Sequence, residues 1–218
     1  MAMFTRLHIE NFKAWKNTGD IHLAPLTAFF GPNSSGKTSL LQFLLLLKQT
    51  AQSPDRKQVL NFGGSHSYID FGSWSEVVFG GDSTRALRFD LEWKVPKAPR
   101  VEDRDGGALD GALMTFGAEI GPTSSAPIGV REFRYSVDRT PVLAPLWIGM
   151  HHNPETQSYE LLSSVRTVLS KAGQTVSAPS RFYGLPKALA ANPVVGDLEF
   201  QLEQQLDSMH DLGPLRKA

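Results

Sequence analysis

The chain has 218 residues, long enough to bury the core of one large domain or two small ones. Its 22 Lys+Arg and 22 Asp+Glu cancel, which excludes the overall basic excess of a dedicated nucleic-acid binder but leaves a local basic patch open. Without cysteine it has no disulfide, thiolate zinc site or cysteine nucleophile, which fits a reducing compartment.

The first residues, MAMFTRLHIENFKAW, lack the long apolar stretch of a signal peptide. The strongest apolar run, LLQFLLLL at 40–47, is far short of the ~20 residues that span a bilayer. A soluble, cytoplasmic protein without membrane contact is expected.

In chain order, MFTRLHIE (3–10) alternates apolar and polar residues as a half-buried strand does. NFKAWKNTGD reads as a polar turn, and DIHLAPLTAFF (20–30) as a second strand entering a glycine loop. KTSLLQFLLLLKQTAQ (37–52) leaves that loop as a helix, apolar around almost its whole circumference and so expected to be buried in a larger body. The Gly/Ser/aromatic stretch 58–83 is placed in loops with one short strand or helical turn, and RALRFDLEWKV (85–95) is a strand. KAPRVEDRDGGALDGA (97–112) is charged and glycine-rich, and is expected to be a mobile insertion. Strand-like segments recur at 113–120, 128–137, 142–150, 157–168 and 174–178, spaced as in an antiparallel β-subdomain. A last helix carries Leu198, Leu202, Leu206 and Met209 on one face, with Gly213 and Pro214 where it should stop. Three regions follow: a strand–loop–helix core at 1–56, a β-rich subdomain at 57–192, and a helix with its exit at 193–218.

The loop itself reads GPNSSGKT and satisfies G-x-x-x-x-G-K-[ST] at Gly31, Gly36, Lys37 and Thr38. At average residue frequencies a chance match in a chain this long is expected roughly once in a hundred sequences. Placement between a strand and a helix makes chance rarer still. Glycines let the backbone curl until successive N–H groups point at phosphate oxygens, and the helix start adds its positive end. In this chemistry Gly31, Asn33, Ser34, Ser35 and Gly36 form the cradle. Lys37 reaches the β- and γ-phosphates, Thr38 completes a Mg²⁺ shell, and Ser39 is placed to touch the α-phosphate. ATP and Mg²⁺ are the expected cofactors. Lys37 is expected to face solvent in the empty loop. A guanine-reading N-K-x-D motif and an arginine-rich kinase lid are both absent, which argues against GTPases and small nucleotide kinases.

Residues 6–50, with their strand, N-F-K loop, second strand and GPNSSGKT, resemble the N-terminus of ABC/SMC-type ATPase heads. These include the OLD-family ATPases and bacterial AAA-family ATPases tied to phage defence. DFGSWSEVVFGGD (70–82) and HDLGPLR (210–216) are similar to stretches of that same group. The resemblance implies an α/β P-loop fold, the first lobe of such a head, carrying an antiparallel β-subdomain. It implies ATP-dependent head-to-head pairing with a second copy, or completion by a C-terminal lobe. It also implies a nuclease or other effector, with nucleic acid engaged only through the completed complex, in antiviral defence or repair. Lys13 matches the position where relatives bring a basic residue near the nucleotide; a solvated lysine is the other reading, and both stay open.

Three parts of a complete head are missing: a Walker B strand, a signature loop and a switch histidine. In relatives all lie beyond the GPLR element. LSKAGQ (169–174) superficially resembles a signature loop but has one residue too many, and reads as a hairpin turn. ATP hydrolysis is therefore expected only with a completing lobe. The alternative is a non-hydrolysing, nucleotide-gated interaction module. Among weaker signals, Phe12 and Trp74 read as core, His151 and His152 as a turn before Pro154, and EDRDGG (102–107) as a solvated loop rather than a calcium site. Arg216 in GPLR is placed to meet either a phosphate or a carboxylate of a completing lobe, and both readings stay open.

Overall fold

The fold is taken from a computed structural model. It describes residues 4–64, 67–95, 112–138, 145–164, 173–186, 189 and 193–210. Among the described residues, eight strands form one antiparallel sheet in the order β2-β1-β3-β4-β5-β6-β7-β8. They are β1 (Phe4–Phe12), β2 (Trp15–His22), β3 (Leu87–Lys94), β4 (Leu113–Gly121), β5 (Gly129–Val137), β6 (Leu146–Asn153), β7 (Ser158–Ser163) and β8 (Thr175–Val176). Among the described residues three α-helices accompany it, α1 (Lys37–Gln52), the single-turn α2 (Trp74–Val77) and α3 (Pro193–Asp207), with a short 3-10 helix at Phe79–Gly81.

The alternation that predicted the strands also sorts the faces. Leu87, Phe89, Leu91 and Trp93 of β3 are buried, while Arg88, Asp90, Glu92 and Lys94 take the other side. α1 lies on the apolar face, where Phe43 meets Phe12 and Phe89 edge-on at 5.3 and 5.0 Å. Phe182 extends this cluster to Phe89 and Phe116. α3 packs beside α1 through Leu198, Leu202 and Leu206, all buried as their spacing predicted, with Met209 partly buried against the same core.

Buried cations fasten the ends of these two helices. Lys48 of α1 donates to the carbonyls of Asp207 (3.1 Å) and Met209 at the end of α3. Arg181 donates to the carbonyls of Ala51 and Ser53 at the end of α1 and to the Tyr183 hydroxyl, which in turn donates to Glu203 of α3. Carbonyls that a helix end leaves unpaired are thereby satisfied by charged donors.

Several expectations need correction. NFKAWKNTGD is not a polar turn throughout: β1 runs on to Phe12 with Asn11 left-handed (φ 59), and β2 begins at Trp15 after a tight turn in which Lys13 (φ 48) is left-handed. The second strand expected over 20–30 ends at His22. The Leu23 N–H still reaches the Thr5 carbonyl (2.8 Å), but residues 24–30 have no ladder partner among the described residues, and Leu26 and Phe30 are 90% and 91% exposed. Without a neighbouring chain to accept its hydrogen bonds, an extended segment is not a strand. Helix α1 starts and stops where predicted and is buried on every side over residues 46–50, as expected, but its N-terminal half leaves one side open. Leu41 is half exposed, and with Leu44, Leu45, Phe29 and Leu23 it lines an open apolar groove of about 440 Å³. His151 and His152 lie within β6 and not in a turn; one is exposed and the other buried, as neighbours on a strand must be. The division at 56/57 is crossed by the sheet, since β1 pairs with β3. Residues 96–111, with EDRDGG, and residues 211–218, with GPLR and Arg216, lie outside the described residues, as does most of LSKAGQ.

Candidate nucleotide-binding site

The glycine loop spans the end of the bare segment and the start of α1. Ser34 (φ 63) and Gly36 (φ 88) are left-handed, a backbone geometry that turns neighbouring N–H groups toward one concave side. Gly36 is also the N-cap of α1, and no side chain caps the helix there. Among the described residues, the N–H groups of Gly36, Lys37 and Thr38 find no protein acceptor, whereas those of Ser35 and Ser39 bond to Pro32 (3.3 Å) and Gly36 (3.0 Å). A helix start with its first donors unspent is an anion cradle.

Lys37 does not extend into solvent as expected. Its ammonium curls over the loop and donates to the carbonyls of Gly31 (2.8 Å) and Pro32 (2.6 Å) and, more weakly, to the Ser35 hydroxyl (3.4 Å). These loop carbonyls attract the nearest cation. The result is a positive charge held at the mouth of the cradle. Thr38, Asn33 and Ser34 are exposed on the same loop, while Ser39 is 8% exposed and turned into the body. A triphosphate fits this donor set: free N–H groups line the concavity, and an ammonium stands where it can exchange neutral carbonyls for charged oxygens. Thr38 is the hydroxyl available to a magnesium ion. No carboxylate contacts Lys37 or Thr38 among the described residues, and no group of three metal-ligating side chains is found there.

The β1–β2 turn is pressed against this loop. The indole N–H of Trp15 donates to the Gly36 carbonyl at 3.0 Å. A Cβ on Gly36 would stand 2.8 Å from that nitrogen and 3.1 Å from the Ala14 methyl. Gly36 is thus required twice, by its left-handed φ and by the close approach of Trp15. Lys13 lies in the same turn. Its N–H donates to the Val77 carbonyl (2.8 Å) and its ammonium rests 4.2 Å from the centre of the Phe71 ring. Phe12 is fully buried and Trp74 is 7% exposed with its N–H on the Ser83 carbonyl, so both belong to the core as expected. Trp15 was missed in the sequence; its place directly after N-F-K-A was the available signal.

With this geometry in view, the comparisons with known proteins bear on the same segment. Residues 3–86 match the family model described as AAA ATPase domain, a stretch that takes in β1, β2, the glycine loop, α1 and α2. This similarity supports a nucleotide-binding, AAA-type ATPase function for that part of the chain. No curated protein matches the chain. Among the described residues no helix is long and apolar enough to cross a membrane.

Proposed function

We propose that the chain is the ATP-binding lobe of an ABC/SMC-like AAA-family ATPase that drives or gates an effector acting on nucleic acid. The observation that carries this reading is the loop at the start of α1, with unspent N–H groups at Gly36, Lys37 and Thr38 beneath the Lys37 ammonium. The open side of α1 supports the second part. Leu26, Phe30 and Leu41 are exposed beside a segment with no ladder partner, which is the surface a completing lobe would cover. In that assembly Gly31 to Ser39 hold the triphosphate, Thr38 helps hold magnesium, and Lys13 and Trp15 keep the β1–β2 turn against the loop. The water-orienting carboxylate and the clamp on the terminal phosphate come from the other lobe or a second head. The defence or repair role rests on the resemblance described above.

The test is binding and turnover of Mg·ATP by residues 1–218. The expected outcome is binding without turnover above background, and at least tenfold weaker binding by Lys37→Ala with unchanged circular dichroism. Adding a lobe that carries a Walker B strand should restore phosphate release to the wild-type chain and not to Lys37→Ala. Binding that ignores Lys37→Ala would overturn the reading, and Lys37-dependent turnover by 1–218 alone would overturn the division of labour between lobes.

A further inference from the structure

Between β2 and the glycine loop the chain passes through Leu26, Thr27, Ala28, Phe29 and Phe30, five residues without a charge. A turn sets their start, closed by the Ala24 N–H donating to the Thr27 hydroxyl at 2.9 Å. Thr27 and Phe29 line the apolar groove beside α1, whereas Leu26, Ala28 and Phe30 stand outside it and are exposed. That alternation is the two-sided order of a strand. Yet the N–H and C=O groups of Leu26 to Phe30 enter no backbone hydrogen bond among the described residues.

Exposed strand edges are ordinarily guarded by lysine, proline or a bulge, because unpaired backbone groups recruit another chain. Here Pro25 and Pro32 bracket the segment, and nothing between them blocks pairing. The order of the side chains also supplies its own complement. Paired residues of an antiparallel ladder share a face, so a two-fold axis at Ala28 sets Ala28 against its mate, Leu26 against Phe30 and Thr27 against Phe29. The smallest side chain then lies at the axis, and the two most exposed apolar ones meet on either side of it.

We propose that Leu26–Phe30 pairs antiparallel with the same segment of a second copy of the chain, related by a two-fold axis through Ala28. The contact is isologous, so the backbone groups on the facing edge of each copy satisfy those of the other. Leu26 and Phe30 alone bring roughly 300 Å² per copy, and the flanking residues raise the total to about 1,000 Å², the low end of specific interfaces. The association is accordingly weak. Because it rests on apolar burial and backbone hydrogen bonds and on no charge, salt does not screen it. It goes beyond the reading above, in which a completing lobe covers this side of the molecule. Second copy and lobe compete for one segment, and self-pairing holds that segment until the lobe displaces it.

Sedimentation velocity of residues 1–218 without nucleotide tests the association, and cross-linking tests its register. The expected result is a reversible monomer–dimer equilibrium that added salt does not weaken, with Leu26→Ser/Phe30→Ser raising the dissociation constant tenfold or more and Lys37→Ala leaving it unchanged. The chain has no cysteine, so Ala28→Cys places one thiol at the axis. Residues directly opposite in an antiparallel ladder lie about 4.5–5.5 Å apart at Cα, within disulfide reach. Mild oxidation should therefore cross-link Ala28→Cys at least tenfold faster than Thr27→Cys, whose two copies are offset by about 8 Å. Both positions are exposed, so neither variant opens a cavity. A wild-type chain that stays monomeric at about 100 µM would overturn the proposal while leaving ATP binding and the completing lobe untouched. Equal cross-linking at 27 and 28 would overturn it too, as would a folded Leu26→Ser/Phe30→Ser that associates like wild type.

Discussion

Gly36 shows how tightly a single position is constrained. It must be left-handed, it must admit Trp15, and its carbonyl must receive the indole N–H. Gly36→Ala is expected to abolish ATP binding and shift Trp15 fluorescence, since the new methyl collides with the ring at a strained φ. Trp15→Phe keeps an aromatic side chain but replaces the indole with a smaller phenyl and loses one hydrogen bond worth about 1 kcal/mol, so a several-fold loss of ATP affinity in a titration is expected. Glu119 gives a pH prediction on the other face. Burial alone would raise its carboxyl, but the hydrogen bonds from Arg88 and Arg131 outweigh that and hold it below the ordinary value of 4.5. A depressed carboxyl contributes stability above its unfolded value and loses it as pH falls through the folded one. Urea unfolding between roughly pH 5 and pH 3 should therefore show a shallower loss of stability for Glu119→Gln than for wild type.

At the scale of elements, α1 joins the two functional ends of the molecule. Its first turn is the proposed phosphate cradle, and its last turns are fastened to α3 by Lys48 and to the 181–183 segment by Arg181. Lys48 is 5% exposed, and its charge is spent on two carbonyls at the end of α3. Lys48→Met keeps most of the volume and leaves those carbonyls without a charged donor. It should lower stability by roughly 2–4 kcal/mol in denaturant titrations. ATP affinity should change little, because the cradle lies at the opposite end of the helix.

For the whole molecule the uncovered side of α1 is the dominant feature. Leu26 and Phe30 are almost fully exposed next to an apolar groove. Burying each is worth roughly 1.5–3 kcal/mol. Leu26→Ser/Phe30→Ser should therefore leave the fold and ATP binding of residues 1–218 intact, reduce binding of a hydrophobic dye, and weaken a completing lobe at least a hundredfold in a pull-down titration. Equal affinity of that lobe for wild type and variant would show that this side is not where it docks.

The sequence by itself determined the short-range features. Period-two alternation placed β3 to β7 within a few residues, and the glycine loop placed the start of α1 at Lys37 because phosphate-loop chemistry ties residue types to fixed offsets. The spacing of Leu198, Leu202 and Leu206 identified the buried face of α3. Tertiary structure decided what depends on neighbours. Residues 24–30 have strand-like composition and are not a strand, because a ladder needs a partner and none of the described residues supplies one. Residues 15–20 look polar and are a strand, because β1 lies beside them. Lys37 turned inward because the carbonyls of Gly31 and Pro32 compete with water for its charge. Trp15 reached Gly36, and the Asp90 carboxyl came to lie over Gly117, only through folding and register, which join residues far apart in the chain and leave no local pattern to read.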